Sequence, residues 1–183
     1  MSQIKGTSVV KLVRVFRKNR ELAMTLIPER LHNYLTDRIL PSSWYPEADY
    51  IALLLPFGKM LSPTVKGDVW EWIGERGAEE DVAGIYTGLV RKEDPWGTLT
   101  SCAKMWHLYR DAGRMEVKRE GPGRSSVFVY EYAFAGREVC STMTGYFRKL
   151  LELAGATGID VSMIHARLPA RGPCEWVAQI AVE

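Results

Sequence analysis

The spacing of apolar residues changes at Gly113, and that change restricts the fold more than any other feature of the chain. Before Gly113 the apolar positions recur with helical period; after it they alternate as in half-buried strands, interrupted by one long helical stretch. The expected class is therefore α+β. Helices fill the first two-thirds, and a C-terminal antiparallel sheet of two hairpins has a long helix between them.

Val9, Leu12, Val13 and Phe16 fall at helical spacing, although their β-branched content leaves a strand open. Asn19 is expected to close that helix in the left-handed conformation. Pro28 suits the first turn of a helix carrying Leu31 and Leu35. The segment Leu40-Pro41-Ser42-Ser43-Trp44-Tyr45-Pro46 reads as a loop, because its prolines disfavour helix through it. Tyr50 to Leu55 begins an apolar helix in which Pro56 is a kink or an end. Asp68 to Arg76 and Glu79 to Arg91 read as two helices broken at Gly77. Asp94-Pro95 is a cap followed by proline at the first helical position. From there Leu99, Cys102, Trp106 and Tyr109 form one stripe, which Gly113 stops.

Met115 and Val117 then alternate with charged residues, Gly121-Pro122-Gly123 makes a turn, and Ser126 to Tyr132 follows as a strand. Val139, Met143, Tyr146, Phe147 and Leu150 mark the long helix, with Gly155 as its stop. Ile159 to Ile164 and Trp176 to Val182 are the last two strands, joined through Pro169 to Pro173. With 183 residues and no linker, repeat or low-complexity tract, residues 1–183 read as a single domain.

Composition narrows the function classes. A net charge of +2 is too small to imply a polyanion partner. No run approaches the roughly 18 apolar residues of a membrane span, and the first residues lack a signal-peptide pattern; a cytoplasmic location is expected. Cys102, Cys140 and Cys174 are odd in number and widely spaced, so reduced thiols are expected rather than a disulfide scaffold.

No phosphate loop, dinucleotide fingerprint, HExxH, GxSxG or zinc spacing occurs, so neither catalytic nor metal-ligating residues are assigned and no cofactor is expected. His32, His107 and His165 lie far apart. His107 sits roughly 80° around its helix from Leu99, beside the stripe, which suits a boundary histidine bonded to a backbone carbonyl better than a haem or metal ligand. Trp44 and Tyr45 suit either capping of the core or lining of a pocket. Lys5, Lys11, Arg14, Arg17, Lys18 and Arg20 make the start basic, while Asp68, Glu71, Glu75, Glu79, Glu80 and Asp81 make the middle acidic. Two solvated helix faces are the simpler account. Contact with nucleic acid, an anionic membrane or a second copy is the alternative.

Several stretches together resemble a large family of uncharacterised myxobacterial proteins of similar length. They are Lys5-Gly6-Thr7, the Leu40 to Pro46 loop, Gly84-Ile85-Tyr86 and the segment from Trp106 through Tyr109 and Asp111 to Gly113. Gly121 to Arg124, Leu151 to Gly155 and Gly172 to Trp176 complete the set. That family is similar to a wider group of haem-nitric-oxide-binding domains, vinyl-reductase-type small-molecule-binding domains and TRAPP subunits of vesicle tethering. The resemblance implies an often dimeric ligand-binding fold. Relatives often carry two cysteines near the C-terminus; Cys174 matches the second, and Ala166 stands at the first. Haem relatives use a helical histidine, a role His107 fits, and a later Tyr-x-Ser-x-Arg motif that Tyr130 to Arg137 does not contain.

The resulting expectation is a non-enzymatic small-molecule-sensing or protein-interaction module, with Trp44, Tyr45, Trp106, His107, Tyr109 and Tyr130 as ligand-binding candidates. Its partners would be a small apolar ligand and a second copy or another protein. Two alternatives stand beside it. One is an enzyme acting on a small hydrophobic substrate through His107, Tyr109 or Cys174. The other is a nucleic-acid or membrane adaptor using the basic first helix.

Overall fold

A computed structural model describes residues 2–84, 86–134, 136–165 and 174–182. It divides into two compact units, each treated by itself. One runs to Lys66 and includes His107–Ala112; the other comprises Gly67–Trp106 and the residues from Gly113 on.

The first unit opens with a short strand, β1 (Gln3–Lys5), followed by α1 (Gly6–Lys18) and α2 (Arg20–Leu26). The predicted stripe of α1 is its buried face: Val9, Leu12, Val13 and Phe16 are all buried. Asn19 ends the helix with φ −123° rather than in the left-handed region, because α2 starts at the next residue. Leu31 and Leu35 are buried on a 3-10 segment, Glu29–Leu35, which Pro28 precedes instead of joining.

The loop expected from Leu40 to Pro46 ends in a strand, β2 (Trp44–Pro46), paired antiparallel to β1 with Ile4 opposite Tyr45. Pro46 is tolerated because it sits at the end of a short strand. Gly6 lies where this loop returns, donating its N–H to the Ser43 carbonyl at 2.8 Å. A Cβ at Gly6 would stand 2.1 Å from the Leu40 carbonyl oxygen. Next, α3 (Glu47–Leu61) runs through Pro56 and buries Leu53, Leu54 and Phe57. Phe57 meets Phe16 edge-on, with ring centroids 5.6 Å apart.

The second unit begins with α4 (Val69–Ala83), capped by Asp68 Oδ1, which accepts from Trp70 N and Glu71 N. It does not break at Gly77. A single interior glycine costs only about 1 kcal/mol, which packing against α7 (Arg137–Leu153) offsets. The remainder of the expected second helix is a 3-10 turn, Thr87–Leu89. Then α5 (Pro95–Lys104) starts at the Asp94 cap as read and stops well before Gly113; the four-residue α6 (Trp106–Tyr109) follows Met105, and its last three residues belong to the first unit.

The sheet holds β3 (Arg114–Gly121), β4 (Arg124–Tyr130), β5 (Asp160–His165) and β6 (Cys174–Gln179), in the order β3-β4-β6-β5 and antiparallel at each pairing. The turn read at Gly121-Pro122-Gly123 joins β3 to β4. The connector from Pro169 to Pro173 lies outside the described residues.

Val127, Val129, Cys174, Trp176, Ala178 and Val161 are buried on one face of the sheet, against which α7 packs. On the other side of α7 lies α4. Their backbones touch at two glycines: a Cβ at Gly74 would stand 1.9 Å from the Thr142 oxygen, and one at Gly145 would stand 2.0 Å from the Glu71 oxygen. The unit is thus three layers deep, α4 on α7 on sheet.

Candidate functional site

In the first unit β1 is flanked on both sides. Tyr45 lies opposite Ile4 on β2, and Ile4 also forms an antiparallel bridge to Arg110. Asp111 fastens that second flank: its Oδ1 accepts from Gln3 N at 2.6 Å, and its N–H donates to the Gln3 carbonyl. Beneath, Arg110 Nε donates to Glu47 Oε1 at 3.0 Å. Glu47 has no solvent exposure and its partner only 18 %, so the pair is an internal clasp, which a surface ion pair is not.

Two ligand candidates, Trp44 and Tyr45, diverge here. Tyr45 accepts from Leu40 N at 2.8 Å through its hydroxyl and packs by Tyr34, centroids 6.1 Å apart. Tyr34 in turn donates to Asp49 Oδ2 at 3.0 Å, and Arg30 Nη1 binds Asp49 Oδ1 at 2.6 Å. Burial raises the Tyr34 phenol pKa, and the Asp49 hydrogen bond and charge push it the same way, so Tyr34 remains a neutral donor. Trp44 is exposed, with Lys5 Nζ 4.2 Å from its ring centroid.

His107 is exposed and Tyr109 half-buried. The expected boundary position for His107 is therefore not what the structure holds. A histidine ring bonded to a backbone carbonyl occurs at His32, whose Nε2 lies 3.0 Å from the Ile27 oxygen.

In the second unit Trp106 is buried and meets Tyr132 edge-on at 5.7 Å, and Tyr132 meets Phe134 at 6.3 Å. Tyr130 belongs to a different group. Its ring stacks on Phe128 at 6.0 Å with Arg114 above it at 4.3 Å, on the face of β4 opposite Val127 and Val129. The candidates thus fall into several separate clusters within the two units. Sequence reasoning passed over Glu47, Arg110, Tyr34, Asp49, Tyr132 and Phe134. Alternating aromatics at Tyr130, Tyr132 and Phe134 were the available signal for the last two; nothing local marks Glu47 and Arg110 as partners.

The charge blocks also resolve residue by residue. Arg148 Nη1 binds Glu71 Oε2 at 2.6 Å and Glu75 Oε1 at 3.3 Å, and Lys149 Nζ lies 3.3 Å from Glu79 Oε1. Asp81 is buried and accepts from the Tyr146 hydroxyl at 3.1 Å. Most of the acidic block on α4 therefore faces cations or a phenol of α7. In the basic block, Arg17 donates to the carbonyls of Tyr34 (2.9 Å) and Asp37, while Arg14, Lys18 and Arg20 are exposed. A concavity of about 430 Å³ lies at the junction of α1 and α2, lined by residues including Arg17, Lys18 and Arg20.

Among the described residues no group of three or more His, Cys, Asp or Glu side chains is arranged to hold a metal ion, and no helix is long and apolar enough to cross a membrane.

No protein-family model matches the sequence, and no curated protein does. Solved structures do match, 26 chains in all. An Fe(II) unliganded H-NOX protein mutant from K. algicida aligns at a TM-score of 0.67 and 12 % identity, covering 98 % of this chain and 97 % of that one. An oxygen-binding H-NOX domain related to soluble guanylate cyclases, solved as its oxygen complex, aligns at 0.66 and 11 %, covering 97 % and 95 %. A third H-NOX structure, from a study of haem distortion, gives 0.65 and 12 %. Identity this low speaks to the fold alone: over nearly its whole length, the chain is similar in fold to H-NOX domains.

Proposed function

We propose that this chain is a sensing module, binding a small apolar molecule or a partner protein without catalysing a reaction. The observation that carries the reading is the whole-length likeness to H-NOX chains, two of whose descriptions name oxygen binding or haem distortion. A homodimer in the cytoplasm is the working form we infer for it.

The side chains do not fit haem. The helical histidine that the resemblance assigns to iron, His107, is exposed on a four-residue helical turn. The stretch from Tyr130 to Arg137 lacks the Tyr-x-Ser-x-Arg pattern, and its Tyr132 and Phe134 are engaged in an aromatic row with Trp106. Aromatic surface of this kind suits an apolar ligand, since it offers large contact area with few polar demands.

Untagged protein purified without added cofactor, examined by absorption and native mass spectrometry, tests the reading. The expected result is no Soret band, with an apolar adduct or a stable dimer in the native spectrum. A Soret band would restore haem. Bare monomer that retains no ligand and finds no partner would overturn the sensing reading itself.

A further inference from the structure

Cys140 and Cys174 meet through the register that seats α7 on β6. Cys140 lies in the first turn of α7, and Cys174 opens β6 opposite Val129. One turn further along the helix, Thr144 Oγ1 accepts from Trp176 Nε1 at 3.0 Å and donates to the Cys140 carbonyl at 3.0 Å. Phe147 then meets the Trp176 ring edge-on, centroids 5.5 Å apart. Four residues of helix and two of strand each advance the chain by about 6 Å, so Cys140 falls beside Cys174 as Thr144 falls beside Trp176. Both residues are buried, and of the groups around it Cys174 acts most strongly on the Cys140 thiol.

We propose that Cys140 and Cys174 form a reversible intramolecular disulfide, a site of oxidative modification tying α7 to β6. A peroxide-class oxidant balances the step. One sulfur takes an oxygen as the O–O bond breaks, giving a sulfenic acid and one water; the second sulfur displaces that oxygen as the S–S bond forms, giving a second water. Two electrons and two protons leave the thiols, and a dithiol reductant restores them. The contact with Cys174 and burial both push the Cys140 thiol well above its ordinary pKa. Because thiolate is the reactive form, the pair responds to sustained oxidant rather than turning peroxide over quickly. Cys102, half-buried on α5, packs beside Ala78, Leu89 and Leu150 and supplies an internal control.

Reduced full-length protein titrated with hydrogen peroxide, alkylated after denaturation and mapped by mass spectrometry is the test. Loss of about 2 Da, a Cys140–Cys174 cross-linked peptide and an alkylated Cys102 are expected. Dithiothreitol should reverse the change, and the oxidised form should melt several degrees higher. Cys102→Ser should behave as wild type, and Cys174→Ala should lose both the cross-link and the melting shift. The wild-type map is decisive even if Cys174→Ala fails to fold. A bond to Cys102, sulfinic acid without a cross-link, or thiols that react only once the protein is unfolded would overturn the proposal.

Discussion

Beside its apolar core the first unit holds a buried charged clasp, whereas the second is set by a close crossing of two helices at glycines, backed by an apolar sheet face. Arg110, Glu47, Asp111 and Gln3 illustrate the first case, spanning 63 and 108 residues respectively. Gly74, Gly145, Phe147 and Trp176 illustrate the second. A clasp made of a buried charge fails when one partner goes, whereas a close helix crossing fails when anything is added. The two units should therefore respond to opposite kinds of change.

The largest effect expected is from Arg110→Ala. It leaves the Glu47 carboxylate buried without this cation, at a cost of about 4 kcal/mol in urea unfolding. Glu47→Gln should cost less, because the Arg110 left behind already reaches solvent. Equal losses would show that packing, rather than the uncompensated charge, sets the cost. Trp44 is the sole tryptophan of the first unit, so the emission difference between wild type and Trp44→Phe reports that unit. If residues 1–183 behave as one domain, Trp44 emission and far-ultraviolet dichroism will fall together; a split transition would make the units independent.

Gly145→Ala comes next, costing about 3 kcal/mol, because the new Cβ meets backbone rather than a side chain that can move aside. Native-like stability in that variant would mean the helices can separate freely, and the contrast between units would dissolve. Trp176→Phe should cost about 2 kcal/mol by differential scanning calorimetry, combining a small cavity with loss of the bond to Thr144.

The smallest effect is acid-dependent. Burial pushes the Glu79 carboxyl up, but hydrogen bonds from Arg76 and Lys149 outweigh it and hold its pKa below the ordinary value. A depressed carboxylate stabilises the fold above the unfolded pKa, about 4.3, and loses that contribution as pH falls through the folded value. Glu79→Gln should therefore be slightly less stable than wild type at neutrality, and the difference should vanish as pH falls through the folded value.

The same contrast explains what could be read from the sequence. The buried face of α1, the Asp94 cap, the β3–β4 hairpin and α7 are all encoded within a few residues, and each was legible. α4 was misread as broken, since Gly77 signals locally and α7 decides otherwise. β2 was misread as loop, since its partner Gln3–Lys5 lies some forty residues away and its prolines argue against a strand. Of the candidate site, the aromatic residue types were visible in the sequence, but their grouping was not. Tyr130 and Tyr132 are two residues apart yet belong to different clusters, because each turns on partners elsewhere in the chain.

The excursion His107–Ala112 that completes the first unit also imposes a timetable on synthesis. The Glu47 carboxylate leaves the ribosome long before its cation. At 5–20 residues per second, the 63 residues between them take roughly 3 to 13 s to make. During that interval α1 and α3 can assemble only around an acid with nowhere dry to go, and closure waits for residue 110. The N-terminal segment is therefore bound to mature after part of the chain that follows it.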